Sequence, residues 1–285
     1  MEFLLILILS VLSTTKFVVH GAFGKRSVRN LPDAALFYTL VFLIPVLAFG
    51  YPALIAPRIT WLLGGLFGLL SAAFQLAYTK ALADGPVSIV GLVVNLALFL
   101  PVVFSAVAYG EPLGILRILG VFLLLCALIA VADPRGGRGG RKGWLAYAII
   151  AMLSSGACSI VQKIHGNTAS GGDAAAFVGC AYIAGAISCL VFYLACRCGG
   201  RRESYKLNAH PLLTAAVIGA ILALYQVVNT YAVATVTGTF FFPAYCGLSI
   251  VLFALAGVLL FRDRLTKRSL VGVILGVLSV VLVSL

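Results

Sequence analysis

The sequence predicts an all-α integral membrane protein whose ten transmembrane helices form two inverted five-helix repeats. Composition is the first of three observations behind this prediction: of 285 residues, 62% are hydrophobic and only 10% are charged, against about 25% in an average soluble domain. The mean hydropathy is +1.15. The second and third observations are a series of apolar segments and a similarity between the two halves of the chain. A large extramembrane catalytic or nucleic-acid-binding domain is excluded, because no stretch between apolar segments exceeds about fifteen residues.

Ten apolar segments are long enough to cross a bilayer, which takes roughly 20 residues of helix. They are 3–23, 34–56, 60–82, 86–109, 113–132, 144–164, 174–196, 211–235, 238–261 and 267–284. The first lacks a basic start and continues past Lys16, so we interpret it as a membrane span rather than a signal peptide. Residues 133–143 are rich in Gly and Arg and predict a flexible linker between a first repeat, 1–132, and a second repeat, 144–285.

The basic residues are unequally distributed between alternate loops. Loops that follow the odd-numbered segments contain sixteen Lys and Arg residues, and those on the other side contain three. Because short cytoplasmic loops retain Lys and Arg, the odd loops are predicted to be cytoplasmic and both termini extracytoplasmic. The same rule explains the net charge of +12. We therefore expect a multi-pass protein of the cell membrane whose basic residues meet the lipid bilayer and bind no nucleic acid.

The seven cysteines form no pattern typical of a disulfide framework. Five lie inside apolar segments, where Cys packs as a small hydrophobic residue. Cys196 and Cys198 form a CxC pair without a second pair or a nearby His, which favours two free thiols over a metal site. The sequence therefore predicts neither a metal nor another cofactor.

An internal repeat appears when the third segment is aligned with the eighth. FQLAYTKALA, which starts at Phe74, matches YQVVNTYAVA, which starts at Tyr225, with identities at Gln75/Gln226, Thr79/Thr230, Ala81/Ala232 and Ala83/Ala234. Further along, Glu111 aligns with Asp263 and Gly120 with Gly272. Each half holds five segments, an odd number, so the second copy enters the membrane from the opposite side. Inverted repeats of this kind build many secondary transporters.

Ten spans, two five-helix halves, and an acidic residue followed by Gly at corresponding junctions resemble the drug/metabolite transporter superfamily, specifically its EamA-type members. The resemblance covers essentially the whole chain. It implies transport of a small polar metabolite, such as an amino acid, a sugar, a nucleotide-sugar, a phosphorylated sugar or a choline-like cation, which is held between the halves. The chain departs from the family in one respect: well-known members keep both termini in the cytoplasm, whereas the charge count places them outside.

Polar residues inside membrane spans are candidates for a functional site, because they are costly against lipid. On the first span, Ser13, Lys16 and His20 follow one another at helical spacing and form one stripe. We predict that this stripe faces the bundle and that Lys16 holds an anionic group of the substrate, with His20 as an additional donor or a protonation-linked coupling site. The alternative is that Lys16 snorkels to the headgroups.

A second set of candidates lies on the third, fourth, sixth, eighth and ninth spans. Gln75 and Gln226 occupy equivalent places in the repeat and are predicted to face one central cavity near the bilayer midplane. The alternative is that they form interhelical hydrogen bonds, worth about 0.6 kcal/mol on average in membranes. The complete set of predicted substrate-binding residues is Lys16, His20, Gln75, Tyr78, Asn95, Gln162, Tyr225, Gln226, Asn229 and Tyr245. Ser155, Cys158 and Gln162 also form a stripe on the sixth span that ends at His165, which we expect at the interface.

Acidic residues are missing from the middle of every predicted span. This argues against proton-coupled cation export of the small multidrug type, which needs a buried carboxylate. Pro45, Pro101 and Pro243 interrupt apolar spans and are predicted hinges. The pairs Gly64/Gly68 and Gly272/Gly276 predict close helix packing, either within the fold or in a dimer.

The sequence therefore favours a secondary transporter that moves a small polar metabolite by alternating access, the metabolite bearing a carboxylate or a phosphate. Expected partners are the small-molecule substrate, the bilayer and a coupling proton or exchanged metabolite, and the assembly is a monomer or a homodimer. One alternative is transport of neutral sugars or cationic amines. An integral-membrane enzyme of lipid-headgroup chemistry and an ion channel are the others; the first would need a cluster of Asp, His or Arg, and the second a pore-loop signature or an acidic ring, none of which is evident in the sequence.

Overall fold

The computed structural model describes residues 2–19, 31–85, 90, 93–112, 114–131, 143–168, 173–198, 209–261 and 267–284. Over these residues the chain forms ten α-helices and no β-strand. The helices are α1 (Glu2–Val19), α2 (Leu31–Leu54), α3 (Arg58–Asp84), α4 (Phe99–Tyr109), α5 (Ile115–Val131), α6 (Trp144–Asn167), α7 (Ala174–Cys198), α8 (Ala209–Thr235), α9 (Gly238–Phe261) and α10 (Lys267–Ser284). The predicted fold class, an all-α membrane protein with ten helices, is confirmed.

Five of the helices are long and apolar enough to cross a membrane over their described residues, namely α2, α3, α6, α7 and α8. The longest two, α3 and α8, have 27 residues each and extend about 40 Å at 1.5 Å per residue. Shorter apolar stretches lie in α1, in 93–109, in α5 and in α10. The predicted segments match these helices to within a few residues, with one exception.

The exception is the fourth segment, which was expected as one helix over 86–109. Residue 90 and residues 93–95 are already α-helical, but a 3-10 turn at Leu96–Leu98 interrupts the helix, and α4 begins after it at Phe99. Pro101 explains the change, because it has no backbone N–H to bond the carbonyl of Ala97 four residues earlier. By contrast, Pro45 lies inside α2 and Pro243 inside α9, and both helices continue past them. Of the three predicted hinge prolines, only Pro101 therefore coincides with a break in the helix.

Two of these prolines share a second feature, a glycine on a neighbouring helix. The carbonyl of Val41 loses its partner to Pro45, and a Cβ added at Gly219 of α8 would lie 2.6 Å from that oxygen. The Ala97 carbonyl, freed by Pro101, would likewise lie 3.0 Å from a Cβ at Gly156 of α6. The absence of a side chain at these glycines lets the neighbouring backbone approach each freed carbonyl closely.

The contacts between helices reflect the two halves of the chain. Many of them recur when each helix is replaced by its counterpart in the other half. The central pair is α2 with α7, and α5 packs on α10. Several of the other contacts come in exchanged pairs: α3 with α6 and α8 with α1, α3 with α7 and α8 with α2, α4 with α6 and α9 with α1. These exchanges are those expected of an inverted repeat, in which the sixth helix takes the place of the first.

Close packing at small residues holds these pairs together. A Cβ at Gly68 of α3 would overlap the Ala181 carbonyl of α7 and lie 2.8 Å from the Gly185 nitrogen. The Gly64/Gly68 motif therefore packs within the fold. On the other side of the molecule, the Ser279 hydroxyl of α10 donates to the Gly120 carbonyl of α5 at 2.7 Å.

Candidate functional site

Helix α8 lies between two apolar cores. One core is formed by α2, α3, α6, α7 and the first part of α8, with Ala215, Ile218 and Leu222 from α8. The other core contains residues of α1, α4, α5 and α9 together with Ala232 and Val233 of α8. Tyr225 packs against both cores. Its position marks the junction of the two cores, which is where α8 carries its polar residues.

We call Tyr225, Gln226, Asn229 and Thr230 the polar stripe of α8. Their spacing of three and four residues places them along one side of the helix. Gln226 is 5% exposed and Thr230 1% exposed, so hydrogen bonds must replace the water that these groups lose on burial. The structure provides these bonds on three neighbouring helices.

Gln162 of α6 bonds to two members of the stripe. Its Nε2 donates to the Thr230 hydroxyl at 2.9 Å, and its Oε1 accepts from Asn229 Nδ2 at 3.1 Å. The side chain of Gln162 is 2% exposed. Both ends of this amide are therefore satisfied by α8, and the three side chains fix the rotation of α6 relative to α8.

The tyrosine hydroxyls extend this network to α7 and α9. Tyr182 of α7 donates to Gln226 Oε1 at 3.5 Å, and the hydroxyls of Tyr225 and Tyr245 lie 3.0 Å apart. Ser13 of α1 lies beside the Tyr245 hydroxyl and is itself buried. The network thus connects α1, α6, α7, α8 and α9 through neutral donors and acceptors.

The equivalent region of α3 has a different set of bonds. The Thr79 hydroxyl donates to the Gln75 carbonyl at 2.8 Å and lies 3.2 Å from the Tyr38 hydroxyl of α2. Tyr78 stacks on Phe74, with ring centroids 5.5 Å apart. Gln75 and Tyr78 are half-buried, whereas their repeat counterparts Gln226 and Asn229 are buried. Equivalent residues of the two halves therefore have different environments.

The predicted site residues are only partly brought together. Gln162, Gln226 and Asn229 form interhelical hydrogen bonds, and Tyr225 and Tyr245 form a pair. Asn95 lies directly before the 3-10 turn at Leu96–Leu98 and is exposed. The backbone of Lys16 belongs to α1, but its side chain lies outside the described part of the structure, as does the whole of His20.

His165 departs from its expected place at the interface. It is 1% exposed, its Nε2 lies 3.3 Å from the Thr60 hydroxyl, and its ring packs on Phe177 with centroids 4.4 Å apart. The first turns of α3 and α7 cover the end of α6 and so bury it.

A charged cluster at the ends of α4, α6 and α8 was not predicted. Glu111 Oε1 lies 2.9 Å from Lys163 Nζ, and these side chains are 10% and 5% exposed. Glu111 Oε2 accepts from the Thr239 backbone N–H at 2.9 Å, and Lys163 donates to the Val236 carbonyl at 2.9 Å. Arg117 donates to the Thr239 hydroxyl at 2.9 Å. We call these five residues the Glu111 cluster.

The sequence offered one signal for this cluster. Glu111 belongs to the acidic junction motif, but Lys163 appeared only as one of three basic residues on the poorly charged side of the membrane. A single lysine near the apolar end of a span is the usual snorkelling pattern. Only the fold shows that its partner comes from the other half of the chain.

Metal and disulfide chemistry find no support in the described residues. No group of three or more His, Cys, Asp or Glu residues within them could hold a metal ion. All seven cysteines have free thiols. What the polar stripe offers is hydrogen bonding by amides and hydroxyls inside an apolar bundle.

Comparisons with known proteins agree with this architecture. Residues 3–132, the first predicted repeat without its first two residues, match the model of the EamA-like transporter family. A solved structure titled "Crystal structure of protein" is similar over 100% of this chain and 98% of its own, with a TM-score of 0.73 and 18% sequence identity. At that identity it shows the fold alone. No curated protein matches the sequence. The first half of the chain thus resembles the EamA-like transporter family, whose members are membrane transporters, and the ten-helix fold of the chain agrees with this match.

Proposed function

We propose that the protein is a secondary transporter of a small polar metabolite, which works by alternating access. The observation that carries this proposal is the polar stripe of α8, a set of buried amides and hydroxyls at the junction of two apolar cores. Ligands of membrane transporters bind where repeats meet near the middle of the bilayer. Gln226 lies nine residues before the end of a helix of about 40 Å, so we expect it to lie inside the hydrocarbon.

We further propose that the substrate carries a carboxylate or a phosphate. Ser13 on α1 is buried, and Lys16 follows it by three residues, a spacing from which we expect the two side chains to share one face of the helix. A cation inside a bundle needs a counter-ion. Because no acidic residue occurs in the middle of a predicted span, an anionic substrate is the available partner. A coupling proton or an exchanged metabolite would complete the cycle.

Gln75 on α3 belongs to the same proposal as the second wall of the binding space. It is the repeat counterpart of Gln226, and its half-buried position leaves its amide accessible for exchange with a ligand. In an inverted repeat, the two glutamines would exchange environments when the transporter changes the side to which it opens. This accounts for the different surroundings of the equivalent residues.

Thermal unfolding of the purified protein against a metabolite library tests the proposal. A ligand at 100 times its dissociation constant stabilises by about 2.7 kcal/mol, and each hit is then tested for uptake into proteoliposomes. We expect carboxylates or phosphates among the hits, with stabilisation reduced in Gln226→Leu and retained in Ser188→Ala, whose hydroxyl bonds only within its own helix. Hits restricted to neutral sugars or amines would overturn the anionic substrate. A ligand that is chemically converted without crossing the membrane would favour an enzyme.

A further inference from the structure

We propose that the ion pair between Glu111 and Lys163 is the gate that closes one end of the transporter. This inference rests on the proposed alternating access. A gate is a contact between the two halves that forms at the closed end and separates when that end opens. The pair is such a contact, since Glu111 belongs to the first half of the chain and Lys163 to the second.

The position of the pair suits this role. Lys163 lies four residues before the end of α6, or about 6 Å along the helix axis, and directly follows Gln162, which bonds to the polar stripe of α8. The Glu111 cluster therefore covers the stripe from one end of the molecule. By the charge count of the loops, this end faces the outside.

The bonds of the cluster can be exchanged for water at low cost. The Val236 carbonyl lies just past the end of α8, and the Thr239 N–H lies in the first turn of α9, so both belong to helix termini without intrahelical partners. A cation at a helix C-terminus and an anion at an N-terminus are each favourable with the helix dipole. The pair therefore joins the ends of α4 and α6 to the connection between α8 and α9.

A second ion pair makes a useful contrast. Lys80 and Asp84 lie 2.8 Å apart, but they are four residues apart within α3. Separating them moves no helix relative to another. Loss of this pair should therefore leave both ends of the transporter unchanged, which makes Lys80→Gln a matched control.

Cysteine labelling tests the gate without a substrate. The seven native cysteines are replaced, and Ser159→Cys is introduced one turn below Lys163 on the same side of α6. This is a small change, because the Ser159 hydroxyl bonds only to its own helix. A membrane-impermeant maleimide is applied to right-side-out and to inside-out vesicles. We expect Glu111→Gln to raise the labelling rate from the cluster's end by roughly tenfold, as a shift towards the open state would.

Three further measurements make the result decisive. Lys80→Gln should label at the starting rate, and the exchanged pair Glu111→Lys/Lys163→Glu should return towards that rate. If Glu111→Gln does not fold, Glu111→Cys/Lys163→Cys joined by a cleavable bifunctional reagent should slow labelling of Ser159→Cys, and cleavage should restore it. Unchanged labelling in Glu111→Gln, or an equal increase from the opposite end, would overturn the gate. If labelling changes as expected but the protein moves no metabolite, the gate would stand and the proposed transport function would be wrong.

Discussion

Asn229 of α8 donates a hydrogen bond from its Nδ2 to the Oε1 of Gln162 on α6, at 3.1 Å. Both side chains are buried, at 9% and 2% exposure. Two amides from different helices are thus held together inside an apolar bundle, next to the proposed binding space. This pair stabilises the fold and also contributes polar groups where a ligand would bind, so its energetic role can be measured before any substrate is known.

A double-mutant cycle on this pair should show a modest coupling. Gln162→Leu leaves Asn229 and Thr230 without a partner, and Asn229→Leu leaves Gln162 Oε1 without one, so each variant should lower the free energy of unfolding. The double variant should cost less than the sum, with a coupling of about 0.6 kcal/mol, the usual value for such bonds in membranes. Unfolding in mixed detergent micelles measures it, with Ser188→Ala as the neutral control. Strict additivity would mean that the bond adds nothing to stability.

Gly68 and Gly65 provide a matched pair for the packing of α3 against α7. A Cβ at Gly68 would overlap the Ala181 carbonyl, whereas a Cβ at Gly65 has no atom within 4 Å. Gly68→Ala should therefore destabilise the protein by about 1–3 kcal/mol or more, as overpacking does, and Gly65→Ala should have little effect. The apparent melting temperatures of the two variants give the answer. Equal melting temperatures would mean that α3 and α7 can move apart at this crossing without a loss of stability.

The orientation of the chain in the membrane follows from the loop charges. With sixteen Lys and Arg residues on one side and three on the other, both termini should lie outside the cytoplasm. A single cysteine added at the C-terminus of a cysteine-free variant should react with an impermeant maleimide in intact cells. Reaction only after permeabilisation would reverse the orientation, and the Glu111 cluster would then lie at the cytoplasmic end.

Lys16 should be needed for an anionic ligand. Once the library screen supplies such a ligand, Lys16→Met should greatly weaken its binding, because the substituted side chain has a similar length and no charge. Lys80→Met serves as the control, since Lys80 is paired with Asp84 on α3. Normal binding and transport by Lys16→Met would show that this lysine snorkels to the headgroups and takes no part in recognition.

The helices and their order could be predicted from the sequence, because a bilayer requires every span to have a similar length and an apolar surface. Pro101 shows where this rule stops. The hydropathy of the fourth segment is continuous, but a missing N–H changes the hydrogen bonding, and a 3-10 turn at Leu96–Leu98 interrupts the helix before α4 begins at Phe99. The ends of helices depend on single backbone N–H and C=O groups, which a hydropathy profile does not detect.

The contacts of the site residues were harder to predict from the sequence, for a related reason. The polar residues of α8 were identified individually, since any polar group in a span stands out against its apolar neighbours. Their partners were not, because Gln162 and Thr230 are separated by 68 positions and Glu111 and Lys163 meet only through the packing of α4 on α6. Which polar groups satisfy one another is a property of the three-dimensional arrangement.

The interleaving of the two halves has a consequence for how the protein is made. Phe42 of α2 packs on Tyr182 of α7, with ring centroids 5.1 Å apart, so the principal partner of α2 is translated after the linker at 133–143. While the ribosome synthesises that linker, the first five helices are already in the bilayer, and the face of α2 that will contact α7 has no partner yet. Two separately encoded fragments, divided within the linker, should therefore assemble when produced together, and the first fragment produced alone should be degraded.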